Sequence, residues 1–171
     1  MTKEQEELFR ADPLIKLLLE TEGLTTVKLI GGAVLDILQK RKPKDYDFIF
    51  QYFPNPKKFE VEYQYETKTA KTFKKGELIL QELKTSPEDF DFKISQSTLV
   101  INYKKELTLE IHETSFENKM LIPCEKAWTE RKNALSSLRR IPHWKSKGYT
   151  INDTTYLSLL SVVGKVNNYN S

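Results

Sequence analysis

The chain has 171 residues, of which 39% are hydrophobic and 30% are charged, with a formal net charge of +3. This predicts one domain, or one domain with a small appendage, that can bury a core. Cys124 is the single cysteine, which excludes an internal disulfide, and no run of about 18 apolar residues is present to cross a membrane. The first residues lack the apolar core of a signal peptide, so we expect a cytoplasmic protein without a membrane partner.

Two short helices are predicted at the N-terminus. Thr2 and Gln5 have the spacing of a capping box, in which each side chain bonds the backbone of the other. Asp12 followed by Pro13 is typical of a second helix start, with the aspartate as N-cap and proline in the first turn. Gly23 is expected to end this helix.

A strand, a glycine pair and a helix follow in immediate succession. The run Val27 to Ile30 predicts a buried strand, and Gly31 and Gly32 allow a sharp turn close to a ligand. Residues 33–41 have apolar side chains at helical spacing, and Pro43 stops the helix. The first turn of such a helix, at Ala33, attracts phosphate through its backbone N–H groups and the helix dipole.

Two aspartates stand at the start of the next apolar strand. Asp45 and Asp47 are two residues apart, and residues at this spacing on a strand point to the same face. Two carboxylates on one face repel each other unless a cation lies between them, and magnesium prefers such hard oxygen ligands. The competing interpretation is that these aspartates only cap the turn before the strand.

The middle of the chain predicts an antiparallel sheet. Residues 69–73 and 78–83 flank a Lys-Lys-Gly turn, and residues 99–103 and 107–112 flank a Lys-Lys-Glu turn, so both pairs predict hairpins. Alternation between Phe59 and Tyr65 predicts a further strand.

Helices are predicted in the last third of the chain. Residues 125–140 indicate one helix with Trp128, Leu135 and Leu138 directed inward. Asn152 and Asp153 can cap a final helix, and the last residues are expected to fray.

The glycine and aspartate segment resembles the head domain of polymerase-β-type nucleotidyltransferases. It is most similar to the branch of bacterial poly(A) polymerases and tRNA CCA-adding enzymes, which carries Gly-Gly-x-Val-Arg-Asp, a short helix, a basic turn and Asp-x-Asp. The matching positions are Gly31, Gly32, Val34, Asp36, Leu38, Arg41, Lys44, Asp45 and Asp47. One position departs from the pattern, because Leu35 stands where the family has arginine.

Two further stretches are similar to this family, and the resemblance spans residues 27 to 151. Phe90-Asp91-Phe92 resembles a strand of its short members, and Arg139 and Arg140 resemble the helix that closes the head. The resemblance implies an α+β fold, with a mixed or antiparallel sheet flanked by helices and with helical terminal segments. It also implies a head domain over residues 1–151, with its core at 24–122, followed by a C-terminal helix and tail at 152–171.

The resemblance implies a set of site residues. Asp45 and Asp47 would hold Mg²⁺ or Mn²⁺ and act in catalysis, with one ion on the triphosphate and another that lowers the pKa of the acceptor hydroxyl. A third carboxylate is expected on a neighbouring strand, with Glu82 as first candidate and Asp91 as second. A register one residue different would place Gln81 there instead, where an amide would make transfer slow or absent. The nucleotide-binding set comprises Gly31, Gly32, Ala33, Lys44, Arg139 and Arg140.

The function that the resemblance implies is transfer of a nucleotidyl group from a nucleoside triphosphate, with ATP expected, to an acceptor hydroxyl, with release of pyrophosphate. An RNA 3′ end, a protein side chain and a small molecule remain open as acceptors. Since only residues 150–171 follow the Gly148-Tyr149 pair, we expect a short stand-alone member without the helical domains of the tRNA enzymes. The alternatives are an inactive relative that binds a nucleotide or a partner, and an RNA-binding accessory protein that uses the basic helix around Arg139.

Overall fold

The computed structural model describes residues 1–51, 60–84 and 90–164, which form an α+β fold around a mixed seven-stranded sheet. The predicted fold class is thereby confirmed. The chain divides into two compact units, one of Met1–Ser86 with Ser97–Glu110 and one of Pro87–Gln96 with Ile111–Ser171. The sheet belongs to the first unit. None of the described helices is both long and apolar enough to span a bilayer.

The sheet has the spatial order β3-β4-β5-β2-β1-β6-β7. Its strands are β1 (Val27–Ile30), β2 (Tyr46–Phe50), β3 (Glu62–Glu66), β4 (Ala70–Lys75), β5 (Leu78–Leu83), β6 (Thr98–Ile101) and β7 (Leu107–Glu110). The β2–β5 pair is parallel, and the other five neighbouring pairs of this sheet are antiparallel. Both predicted hairpins are present, as β4–β5 and β6–β7. The predicted strand from Phe59 is found as β3, and Phe59 itself lies outside the described residues.

Among its described residues, the first unit contains three α-helices: α1 (Lys3–Ala11), α2 (Pro13–Glu20) and α3 (Gly32–Leu38). The predicted capping box is formed between Thr2 and Gln5, and Asp12 caps α2 as expected. Helix α2 ends at Glu20, before Gly23, and α3 ends earlier than the predicted residue 41.

The core of the first unit lies on one face of the sheet. Alternate residues of the central strands supply it, because successive strand side chains point to opposite faces. The fully buried members include Phe9, Leu14, Ile15, Leu18, Val27, Leu29, Val34, Phe48, Leu99 and Ile101. Tyr46 and Leu80 belong to the same cluster, which places the odd-numbered side chains of β2, among them Asp47, on the opposite face.

The described part of the second unit, residues 90–96 and 111–164, contains a 3₁₀ helix (Lys93–Gln96) and four α-helices. These are α4 (Glu113–Asn118), α5 (Lys126–Thr129), α6 (Arg131–Ser146) and α7 (Asp153–Gly164). The single helix predicted over residues 125–140 is wrong, because Glu130 has extended backbone angles (φ −114°, ψ 118°) and separates α5 from α6. Trp128 is 38% exposed rather than inward, and α6 continues through Pro142.

The predicted Phe90-Asp91-Phe92 strand is also wrong. Phe92 makes an isolated bridge with Pro123, and the 3₁₀ helix begins at the next residue. The Ser95 hydroxyl bonds back to the Phe92 carbonyl, which is the local side-chain bonding that competes with strand pairing.

The thiol of Cys124 is expected to react slowly while the chain is folded. Burial raises the pKa of the Cys124 thiol from 9.0 to about 11, and thiolate is the reactive species. We therefore predict that iodoacetamide at pH 8 labels the native protein far more slowly than the urea-unfolded protein. The raised pKa also stabilises the folded state below pH 9, and this contribution is lost as the pH rises toward 11. Equal labelling rates with and without urea would contradict the burial of Cys124.

Candidate active site

A glycine turn joins β1 to α3. Gly31 has φ 73° and ψ −127°, a backbone conformation that favours glycine. Its N–H donates to the Ser97 carbonyl oxygen at 2.8 Å, which ties the turn to the start of β6. The N–H groups of Gly32 and Ala33 come before the first bond within α3, from Leu35 N–H to the Gly31 carbonyl oxygen. The turn therefore presents the backbone of Gly32 and Ala33 at the end of β1.

The aspartate pair lies at the same end of the sheet as this turn. In the antiparallel β1–β2 pair, Asp47 is directly opposite Ile30, the residue that precedes Gly31. Asp45 comes just before β2 and is exposed, whereas Asp47 is half-buried. Continuing the strand alternation from Asp47 places Asp45 on the same face. The fold thus places the glycine turn and the start of β2, with its two aspartates, at the same end of the sheet, although a helix separates them in the sequence.

Tyr46, between the two aspartates, fixes the start of β2. Its side chain is 2% exposed, and its hydroxyl donates to Asp12 Oδ2 at 2.9 Å. The other oxygen of Asp12 accepts from the backbone N–H groups of Leu14 and Ile15 at 3.0 and 3.1 Å. Burial, followed by the Asp12 charge, raises the pKa of Tyr46. Sequence reasoning identified Asp12 as a cap but missed this link to the candidate site.

The register of β5 decides which side chain stands beside Asp47. In the parallel β2–β5 pair, Asp47 is opposite Gln81 and Phe48 is opposite Glu82. Glu82 therefore points to the face that carries the core, and Lys71 is opposite it on β4. The structure brings Gln81 to the aspartate pair and does not bring Glu82 there.

A buried hydroxyl extends this row of polar side chains. Thr72 is opposite Gln81 in the antiparallel β4–β5 pair and so lies on the Asp47 face. It is 4% exposed, and its Oγ1 has no hydrogen-bond partner within the described part of the chain. A buried hydroxyl without a partner is energetically costly, and a bound water or oxygen ligand would satisfy it.

The basic turn between α3 and β2 is engaged mainly in ion pairs. Arg41 Nη2 lies 3.1 Å from Asp36 Oδ1. Lys40 Nζ lies 3.4 Å from Glu4 Oε1, and Lys42 Nζ lies 3.6 Å from Glu77 Oε2. Lys44, beside Asp45, is exposed. Among the basic residues of this turn, Lys44 thus remains the candidate for a phosphate contact.

Three predicted site residues belong to the second unit. Asp91 Oδ2 lies 3.0 Å from Arg140 Nε, and Asp91 Oδ1 accepts from the Ser136 hydroxyl at 3.2 Å. These contacts fasten α6 to the segment before the 3₁₀ helix, so both Asp91 and Arg140 have a structural role there. Arg139 is exposed on α6.

The donor set suits one divalent cation. Over the described ranges, no group of three or more His, Cys, Asp or Glu side chains could hold a metal ion. Two carboxylates two residues apart can contribute to a Mg²⁺ or Mn²⁺ site when phosphate oxygens supply the remaining ligands, as is common for Mg²⁺. The residues at the glycine turn therefore fit a metal-bound triphosphate.

Solved structures with the same fold are found among tRNA-processing enzymes. The Thermotoga maritima CCA-adding enzyme in complex with tRNA aligns with a TM-score of 0.70 and 20% identity, over 94% of this chain and 45% of that one. The chain has the fold of a nucleotidyltransferase head domain. The predicted resemblance to polymerase-β-type enzymes is confirmed at the level of the fold.

Two other structures support this assignment of the head-domain fold. A CCA-adding enzyme without ligand aligns with a TM-score of 0.67 and 18% identity, over 96% of this chain and 46% of that one. A tRNA nucleotidyltransferase bound to a primer tRNA and an incoming ATP analogue aligns with a TM-score of 0.61 and 17% identity, over 82% of this chain and 47% of that one. The chain thus spans under half the length of these structures. No protein-family model and no curated protein matches it.

Proposed function

We propose that this chain is a Mg²⁺- or Mn²⁺-dependent nucleotidyltransferase that transfers a nucleoside monophosphate from a triphosphate, with ATP expected, to an acceptor hydroxyl. One observation carries the proposal: Asp47 is opposite Ile30, so the aspartate pair adjoins the glycine turn. Carboxylates for a cation and backbone N–H groups for phosphate are the two elements that a triphosphate site requires. We further propose the cytoplasm as the location.

In the proposed reaction the acceptor oxygen attacks the α-phosphorus. A new P–O bond forms, the bond between the α-phosphorus and the bridging oxygen breaks, and pyrophosphate leaves with that electron pair. The acceptor hydroxyl releases its proton to solvent. Gly31, Gly32 and Ala33 position the phosphates, and Lys44 lies near their charge. The nucleotide contacts that the resemblance implies for Arg139 and Arg140 stay a prediction, and Arg140 also pairs with Asp91 within the second unit. Catalysis of this kind is mainly positioning and charge stabilisation.

Asp45 and Asp47 would hold the metal ion in this proposal. A bound divalent ion supplies positive charge that stabilises the phosphate oxygens during transfer. Two of the solved structures named above contain tRNA, and one of these two also contains an ATP analogue, which supports an RNA 3′ end as one candidate acceptor.

The proposal is tested by following the transferred group. The purified chain is incubated with each of the four nucleoside triphosphates labelled at the α-phosphate, with Mg²⁺ or Mn²⁺ and total RNA. We expect label in RNA, or in the protein itself if a side chain is the acceptor, and a small-molecule acceptor would be found by chromatography of the soluble fraction. Absence of label in every fraction, with all four nucleotides and both metals, would contradict the transferase.

Gln81 favours a second candidate, a module that binds a nucleotide without transferring it. An amide beside Asp47 retains an oxygen ligand but adds no negative charge. This candidate predicts metal-dependent binding of ATP, measured by calorimetry, together with no label transfer. RNA binding that is sensitive to salt but independent of Mg²⁺ would instead indicate the accessory protein.

A further inference from the structure

The side chain beside Asp47 on β5 is uncharged, and this determines how many metal ions the site can hold. We infer that the candidate site binds a single divalent cation, the one that accompanies the nucleotide, and has no ligand set for a second cation at the acceptor hydroxyl. This inference rests on the proposed function, because it concerns the same aspartates and the same triphosphate. It names Gln81 as the residue that sets the metal count.

The sheet register provides the first step. Asp47 and Gln81 are directly opposite in the parallel β2–β5 pair, so their side chains lie on one face about 5 Å apart at the backbone. Glu82 is opposite Phe48, on the core face. A carboxylate is therefore present on β5, but the alternation of side chains directs it away from the aspartates.

Charge balance provides the second step. Two divalent cations in a phosphoryl-transfer site lie about 3.5–4 Å apart and repel each other strongly unless anionic ligands lie around both. Asp45 and Asp47 together carry two negative charges. Together with the phosphate oxygens of a triphosphate, these charges can compensate one divalent cation. Gln81 can offer an amide oxygen but no charge, so a second ion near the acceptor would lack compensation.

The other carboxylates of the described chain do not supply the missing charge. Asp91 is held by Arg140 Nε at 3.0 Å and by the Ser136 hydroxyl at 3.2 Å. No grouping of three potential ligands is present over residues 1–51, 60–84 and 90–164. The site described by the structure is thus a two-carboxylate site.

The orphaned Thr72 hydroxyl supports the presence of a ligand on this face. Thr72 is opposite Gln81, is 4% exposed, and its Oγ1 has no hydrogen-bond partner within the described residues. A neutral row of hydroxyl and amide beside the aspartates suits a water or an acceptor hydroxyl better than a bare cation. The acceptor end of the site is therefore uncharged and the nucleotide end is anionic.

The experiment counts metal ions. The full chain is saturated with α,β-methylene ATP, which cannot transfer its nucleotidyl group, and the Mn²⁺ bound per chain is measured by equilibrium dialysis and by electron paramagnetic resonance. We expect one Mn²⁺ in the wild type and two in Gln81→Glu, with coupling between the two ions in the resonance spectrum. Gln81→Asp serves as a second variant if Gln81→Glu does not fold.

Glu82→Gln is the matched comparison, since it changes the neighbouring residue on the opposite face. It is expected to leave the Mn²⁺ count at one. Two ions in the wild type, or a fall in the count in Glu82→Gln, would overturn the single-cation inference and leave the transferase proposal standing. A count that stays at one in both folded carboxylate variants at position 81 would likewise overturn it. Absence of any metal-dependent binding of the analogue to the wild type would instead overturn the proposed function, and the inference with it.

Discussion

Replacing Asp45 and Asp47 together by asparagine is expected to weaken metal-dependent ATP binding by more than ~100-fold and any nucleotidyl transfer by about 10³-fold or more. The reason is that asparagine keeps the shape of each side chain but removes the charge that a divalent cation requires. Titration calorimetry with α,β-methylene ATP, in Mg²⁺ and again in EDTA, measures the binding. The wild type should show a large difference between the two conditions, and the double variant should show almost none.

The same substitution should leave the fold intact. Asp45 is exposed and Asp47 is half-buried, so the free energy of unfolding is expected to change by no more than about 1 kcal/mol. Relief of repulsion between the two carboxylates offsets part of any loss.

Glu110→Gln is the matched control. Asp47, Ile30, Thr98 and Glu110 are opposite one another on successive strands, so Glu110 lies in the same row and on the same face as Asp47. That variant removes one charge from the face without touching the candidate site, so its ATP binding should stay near the wild-type value. Persistence of metal-dependent binding in the folded double variant would contradict the assignment of the aspartates.

The parts of the site that could be predicted are local in sequence. The glycine turn, the start of α3 and the aspartate spacing are all encoded between Ile30 and Asp47, where glycine conformations and strand alternation act over a few residues. The Thr2–Gln5 capping box was predictable for the same reason, because both partners lie within one helical turn.

The neighbour of Asp47 on β5 could not be predicted because it depends on register. Residues 78–80 and 83 are apolar on both faces of the strand, so their pattern does not distinguish a strand with Gln81 on the site face from one with Glu82 there. The register is set by contacts with β2 and β4, which are distant in sequence. The opposite charges of Lys71 and Glu82 favour pairing these two residues across β4 and β5, but this signal becomes informative only when the β4–β5 register is known.

Tertiary contacts also account for the wrong predictions in the second unit. Alternation at Phe90-Asp91-Phe92 favours a strand, but Asp91 instead bonds Arg140 and Ser136 on α6, and Phe92 is followed by a 3₁₀ helix. No helix-breaking residue marks the division between α5 and α6. Glu130 is the N-cap of α6 and has the extended backbone usual at that position, and its carbonyl oxygen accepts from the N–H groups of Asn133 and Ala134.

Replacing Asp12 by alanine is expected to destabilise the chain by about 2–4 kcal/mol. Loss of the N-cap of α2 accounts for about 1 kcal/mol, and leaving the Tyr46 hydroxyl buried without its acceptor accounts for about 1–3 kcal/mol. Tyr46→Phe keeps the cap of α2 and removes the hydroxyl, so no buried donor is left without an acceptor. We expect this variant to be destabilised by about 1 kcal/mol. Urea unfolding of both variants and of the double variant measures these values. The double variant should lose less free energy of unfolding than the sum of the losses in the two single variants, because Asp12 and Tyr46 share one hydrogen bond of 2.9 Å.

The pH dependence of stability separates this hydrogen bond from simple packing. Burial and the Asp12 charge raise the pKa of Tyr46 above the ordinary tyrosine value of about 10. The folded state therefore holds the phenolic proton where the unfolded chain releases it, so this contribution is complete below pH 10 and is lost as the pH rises further. We expect wild-type stability to fall more steeply above pH 10 than that of Tyr46→Phe, which has no phenol at this position. Equal slopes for the two proteins, or strict additivity in the double variant, would show that Asp12 and Tyr46 act independently.

Because Tyr46 lies between Asp45 and Asp47, the same Tyr46→Phe protein should also need a severalfold higher Mg²⁺ concentration for ATP binding, which packing alone would not require.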